Sequence, residues 1–252
     1  MATKPEHVPK LAILIDADNA SPRIASGLFE ELATIGEASV RRIYGDFSGT
    51  RLKGWSDVLS TFAILPHHNI ANTPKKNASD IALVIDAMDL LHSGRFDAFC
   101  IVSSDGDFTR LAARIREQGA DVYGFGEQKT PESFRKACKR FIYIENLISA
   151  EAAKAPLADA VPGAEKAVAT THKLPPSAAV PLILNALAQM DDLDGWYFLG
   201  AVGTRLAALM PDFDQRSYGC AKLVTLIERS GAFEVRRDSL MVHIKPLKTV
   251  GA

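Results

Sequence analysis

Leu11-Ala12-Ile13-Leu14-Ile15-Asp16 is an unbroken apolar run closed by an acid. A strand with one wet face alternates apolar and polar residues, so such a run points to a strand covered on both faces, as in a parallel sheet. Phe99-Cys100-Ile101-Val102 repeats the pattern and leads into Ser103-Ser104-Asp105-Gly106-Asp107. Working outward, Ser21-Pro22 opens a helix, with Ile24, Leu28, Leu32 and Ile35 at helical spacing and Gly36 at its end. Val40 to Tyr44 and Phe62 to Leu65 read as further strands. Ser79-Asp80 starts a helix expected to turn Ile81, Val84, Ile85 and Met88 inward, with Gly94 beyond its end. Phe108, Leu111, Ala112 and Ile115 mark another helix, closed by Gly119. Val122 to Phe125 follows as a strand, Pro131 to Lys139 as a helix and Phe141 to Ile144 as a last strand. Strand and helix alternate throughout, so residues 1–148 are expected to form an α/β domain with a mainly parallel sheet and helices on both faces.

Residues 149–175 are rich in alanine, proline, threonine and lysine and read as a flexible linker. Beyond them, Val180 to Met190, Leu199 to Met210 and Gln215 to Ser230 each carry helical periodicity. Phe233 to Val235 and Leu240 to Ile244, split by Arg237-Asp238-Ser239, read as a β-hairpin. Three helices and a hairpin describe a small winged-helix module over residues 176–252.

In the 252 residues, 47% hydrophobic and 23% charged content are those of a soluble globular protein. A formal net charge of -1 argues against a wholesale polyanion binder while leaving room for a local basic patch. Cys100, Cys138 and Cys220 are far apart in sequence, which favours reduced thiols over a disulfide frame or a zinc site. The first ten residues lack the apolar core of a signal peptide, and the most apolar runs are short and broken by aspartates. No membrane span is expected, and the cytoplasm is the default compartment.

Asp16, and Asp105 with Asp107, directly follow two covered strands, and the carboxyl ends of such strands border the crevice where open α/β sheets bind ligands. Asp80 stands at a helix start, where the dipole favours a carboxylate. Carboxylates gathered there repel one another unless a cation intervenes. With no histidine or cysteine beside them, the hard oxygen donors favour Mg²⁺ or Mn²⁺ over Zn²⁺. Such a centre suits phosphoryl chemistry, in which a metal activates water and steadies the leaving oxygen. Asp16-Ala17-Asp18 also allows an aspartyl-phosphate nucleophile. Against that, Asn19 follows where a small hydroxyl residue is expected, and no downstream lysine motif stands out.

Ile15-Asp-Ala-Asp-Asn19, Lys76-Asn-Ala-Ser-Asp-Ile-Ala-Leu-Val-Ile-Asp86 and Val102-Ser-Ser-Asp-Gly-Asp-Phe108 together resemble the NYN family of PIN-like nucleases, its bacterial LabA-type members in particular. The resemblance implies that Asp16, Asp80, Asp105 and Asp107 are the catalytic, metal-binding acids. It places Asn19 and Ser104 at the site's lining; the family commonly has glycine at the positions of Ala17 and Ser104. Asp86 matches a recurrent family acid, but it lies about 120° round the helix from Asp80, which gives it a supporting or structural role. Asp194-Gly-Trp196, Leu199-Gly-Ala-Val202, Pro211-Asp-Phe-Asp214, Tyr218-Gly219, Lys222-Leu223 and Gly231-Ala-Phe-Glu-Val235 resemble the OST-HTH/LOTUS domain, which implies RNA binding or protein docking.

The resulting expectation is a Mg²⁺- or Mn²⁺-dependent nuclease with a C-terminal RNA-binding module. RNA is favoured over DNA by the resemblance alone, and a protein partner is a further expectation for the second module. The alternative is a non-catalytic RNA-binding adaptor on the same scaffold. Arg51, Lys75 and Lys76, in a basic stretch with Arg41, Arg42 and Lys53, are expected to hold phosphates, as are Arg216 and Lys222 in the second module with Tyr218 stacking beside them. Trp55 and Trp196 are expected to be packed inside, and His67 and His68 to sit in a surface loop.

Overall fold

The computed structural model describes residues 7–68, 78–148, 173–238 and 241–247. The chain divides into two compact units, Met1–Pro156 and Leu157–Ala252. Most of the expected linker, and the candidates Lys75 and Lys76, lie outside the described residues. Among those described, no helix is long and apolar enough to cross a membrane.

The first unit is a six-stranded sheet in the order β3-β2-β1-β4-β5-β6, with every neighbouring pair parallel. Its strands are β1 (Lys10–Asp16), β2 (Glu37–Gly45), β3 (Leu65–His68), β4 (Ala98–Val102), β5 (Asp121–Gly126) and β6 (Arg140–Tyr143). The helices are α1 (Ala25–Ile35), α2 (Lys53–Ser56), α3 (Ala78–His92), α4 (Thr109–Glu117) and α5 (Glu132–Ala137). Residues 11–15 are fully buried, which explains why the run carries no polar residue. Leu11, Ile13 and Ile15 pack with Leu28 and Leu32 of α1, whereas Ala12 and Leu14 pack with Leu83 of α3 and Leu111 and Ile115 of α4. Burial of each leucine or isoleucine contributes about 1.5–3 kcal/mol. The chain builds outward through β2 and β3, then returns to lay β4 on the other side of β1. The strand order therefore reverses between β1 and β4, the place where such sheets open a binding crevice.

Two expectations in this unit are corrected. The third strand runs over Leu65–His68 rather than residues 62–65, and so takes in His67 and His68, which were expected in a surface loop. Phe62 instead stacks on Phe29 of α1 at 5.0 Å between ring centroids, and Ala63 turns the chain with a φ of 50°. Pro66 fits because β3 is an edge strand. The second correction concerns α3, whose buried residues are Leu83, Ala87 and Leu90. Of the residues expected inward, Met88 packs against the core, but Ile81, Val84 and Ile85 lie on the surface.

The second unit packs α6 (Val180–Leu187), α7 (Leu199–Leu209) and α8 (Leu223–Ser230) against an antiparallel sheet ordered β7-β9-β8. Here β7 is Tyr197–Phe198, β8 is Phe233–Asp238 and β9 is Met241–Pro246. The hairpin is present as expected, but β8 runs on through Arg237 and Asp238, which were expected in its turn, and β7 is an addition to it. The stretch from Gln215 to Ser230 is not one helix. A 3-10 turn over Gln215–Tyr218 ends at Gly219 with φ 71°, a left-handed conformation natural to glycine, before α8 begins. The core holds Ile183, Val202, Leu206, Leu226, Ile227 and Ile244. All three cysteines are free and buried, as the spacing suggests.

Candidate active site

At the carboxyl end of β1, the Asp16 side chain is 1% exposed. One of its oxygens, Oδ1, accepts the backbone N–H groups of Asp18 (3.0 Å) and Asn19 (3.3 Å). The other, Oδ2, accepts the Asn19 Nδ2 amide and the Ser103 hydroxyl, both at 2.8 Å. The loop after β1 thus closes on its own acid. Burial raises the Asp16 carboxyl above its ordinary range, and the Asn19 and Ser103 bonds partly offset that rise.

Ser103, the first residue after β4, links this acid to the next motif. While donating to Asp16, its Oγ accepts the backbone N–H of Asp105 at 3.0 Å. Asp105 in turn caps the 3-10 turn Gly106–Phe108, accepting the Asp107 N–H at 2.9 Å. Asp107 is exposed. Sequence reasoning named Ser104 and missed Ser103. The Ser104 hydroxyl accepts the backbone N–H of Glu127 instead, tying the loop after β5 to the loop after β4. A polar residue extending a fully buried strand by one position was the signal for Ser103.

Asp80, in the first turn of α3, feels this assembly electrostatically. Burial, then the charges of Asp16, Asp105, Asp18 and Asp107, push its carboxyl up to about 6. The reversal point of the sheet therefore gathers five acids, Asp18 being one to which sequence reasoning gave no role here. The exposed Arg51 pairs with Asp18 at 2.5 Å, which sets one cation beside the cluster. Among the described residues, no three His, Cys, Asp or Glu side chains already stand close enough to hold a metal ion directly. The donor set still fits one class of ion. All-oxygen ligands suit Mg²⁺ or Mn²⁺, and Mg²⁺ commonly keeps several waters while using one or two carboxylates.

Asp86 turns away from these acids, as its helical offset requires. Its Oδ2 accepts Arg42 Nη1 and the Tyr44 hydroxyl, each at 2.8 Å, and lies 3.2 Å from His67 Nδ1. This network pins α3 to β2 and β3. It also explains why Arg42 and His67 are not free surface groups. Burial lowers the tendency of His67 to protonate despite the nearby carboxylate. Arg41 is likewise used internally, donating to the Ala38 and Phe62 carbonyls. Replacing Asp86 with alanine strands the fully buried Tyr44 hydroxyl and is expected to cost about 2 kcal/mol. A lower urea midpoint at unchanged m-value is the readout; an unchanged midpoint would show the network to be dispensable.

In the second unit, two of the three expected RNA contacts are corrected. Arg216 wraps its own neighbour, with Nε 2.9 Å and Nη2 2.7 Å from Oδ2 of the buried Asp214. Tyr218 is 8% exposed and packs within the core, its ring 6.0 Å from that of Phe213. Lys222 is exposed. Trp55 is buried as expected and donates to the Ala20 carbonyl. Trp196 is only half-buried, with the Arg236 guanidinium 4.6 Å and Lys245 Nζ 5.7 Å from its ring centroid.

The profile of the NYN domain matches residues 10–145, and that of the OST-HTH/LOTUS domain matches residues 175–244. No curated protein matches the chain. A crystal structure of a Vibrio parahaemolyticus protein of unknown function aligns at 20% identity and a TM-score of 0.47, covering 56% of this chain and 96% of that one. NYN is a PIN-like nuclease-type domain, OST-HTH/LOTUS is a domain that binds RNA, and the six-stranded parallel sheet is of the PIN-like kind. With its profile matched over more than half of the chain, the protein belongs to the NYN family and carries an OST-HTH/LOTUS domain behind the nuclease-type one.

Proposed function

We propose that the NYN domain is a divalent-metal-dependent ribonuclease, with Asp16, Asp80, Asp105 and Asp107 as its catalytic acids. The observation that carries this reading is the meeting of these acids at the sheet's reversal point, where Ser103 ties Asp16 to Asp105 and where burial, then the neighbouring acids' charges, raise the Asp80 carboxyl. An unrelieved cluster of this kind is costly in a fold, and a bound dication relieves it. Mg²⁺ or Mn²⁺, when bound, would supply a water activated for attack and neutralise the leaving oxygen.

The chain's own residues prepare that setting. Four hydrogen bonds fix the position of the Asp16 carboxylate, and a bound ion would take the place of at least one of them. The cap on the 3-10 turn aims Asp105, and Ser103 couples the two acids. Arg51 offers a positive charge on the exposed side of Asp18, where it can meet a phosphate on either side of the scissile bond. The test is incubation of labelled single-stranded RNA, duplex RNA and DNA with the full chain, with and without Mn²⁺. Metal-dependent cutting of RNA is expected. Binding without cutting in every condition would leave the adaptor reading in its place.

The OST-HTH/LOTUS domain is proposed to hold the same RNA, which makes the second contact intramolecular. A fragment ending near Ile148 is then expected to keep kcat and raise KM several-fold, the signature of losing binding shared by ground and transition states. An unchanged KM would assign the second domain to a protein partner.

A further inference from the structure

The stripe of α3 that the sequence pattern mislaid has no role in the core. Ile81 is 59% exposed, Ile85 56% and Val84 36%, and they stand at the i, i+3 and i+4 positions of one helix face. β-Branched residues form helices less readily than lysine, glutamate or glutamine, so a merely solvated face has no use for three of them. Together with Phe108 they line a cavity of about 250 Å³ whose other lining residues are Asp80 and Asp107. Its volume falls below the roughly 300–1,000 Å³ of drug-sized sites, which suits one flat group of the size of a nucleobase.

Two of the candidate catalytic acids form the polar edge of this apolar wall. A second copy docking about a two-fold axis that passes through this cavity would bring Asp80 and Asp107 close to their own counterparts, so like charges oppose that occupant. An RNA strand brings negative charge too, but only at its phosphates, where a dication held by the acids would offset it. With a dication held by the acids, the strand's phosphate would be bound there, and the adjoining base, uncharged and apolar on its faces, is the part that fits an aliphatic wall. Resting on the ribonuclease reading, we infer that Ile81, Val84 and Ile85, backed by the buried Phe108, form a shelf for the nucleobase next to the scissile phosphate. Contact of this kind is not directional. It favours larger rings, so purines are preferred over pyrimidines at that nucleotide and an abasic sugar is poorest.

The experiment uses the full chain and an Ile81→Ser/Ile85→Ser variant, with Mn²⁺ and a set of RNAs carrying one abasic nucleotide at each position in turn. For the wild type, an abasic residue at one position beside the cut is expected to lower kcat/KM about tenfold, the size of one lost base contact. The variant should show that loss on intact RNA and no further loss on the abasic strand. Both replaced side chains are exposed, so melting temperature is the control for folding and should hold. Equal cutting of intact and abasic strands by the wild type, or undiminished cutting by the variant, overturns the shelf and leaves the nuclease. A variant that loses dimer mass while keeping its sensitivity to abasic sites overturns it in favour of self-association. If the wild type cuts nothing, the nuclease reading and the shelf fall together.

Discussion

Asp105→Asn is expected to lower RNA cleavage by on the order of a hundredfold or more, the scale of losing a preorganised electrostatic group, while the protein still folds. Asparagine caps a helical turn as well as aspartate, so it can still accept the Asp107 N–H, and Ser103 still receives the Asp105 backbone N–H. What is lost is the charge. The substitution therefore separates chemistry from folding, with kcat falling far more than RNA affinity. Asp16→Asn does not separate them. Both of its oxygens accept hydrogen bonds, so an amide nitrogen in either place would confront a donor. That variant is expected to lose stability as well as activity. Full cleavage by a verified Asp105→Asn preparation would remove these acids from the mechanism.

The contrast between those two aspartates shows what the sequence discloses. That strands precede Asp16 and Asp105 is written in continuous apolar runs, because a strand covered on both faces tolerates nothing else. The reversal of strand order then follows from two such strands being neighbours, and with it the meeting of the acids. The face of α3 is less legible. Between Ile81 and Leu91 only Asp86 and Asp89 are polar, so periodicity alone does not choose the buried stripe. Asp86 holds the missing information, since its bonds to Arg42 and Tyr44 turn its own side of the helix toward the sheet. Long-range pairs of this kind leave no local pattern. Arg216 and Tyr218 were misread for the opposite reason. Arg216 satisfies Asp214 two residues away, and Tyr218 enters the core at a glycine-terminated turn that interrupts the apparent helix.

Mn²⁺ is expected to raise the melting temperature of the full chain, by more near pH 8 than near pH 5, on either side of the Asp80 transition. Without metal, the folded-state value of about 6 for Asp80 lies above its ordinary 3.8, so the folded protein holds that proton more tightly than the unfolded chain. The associated stability is fully present below about pH 3.8 and is lost as the pH rises through about 6. Asp16, raised by burial, acts in the same direction. A dication reverses the dependence, because it binds the ionised acids and competes with protons for them. At about a hundredfold excess over its dissociation constant, the ion adds about 2.7 kcal/mol to the folded state, and this contribution fades as the acids protonate. Asp80→Asn should flatten the metal-free profile between about pH 4 and pH 6, because the group with the elevated value is gone. A Mn²⁺ effect of equal size at both pH values would mean that the ion binds elsewhere. An unchanged metal-free profile in Asp80→Asn would mean that the charges of the neighbouring acids do not converge on that side chain.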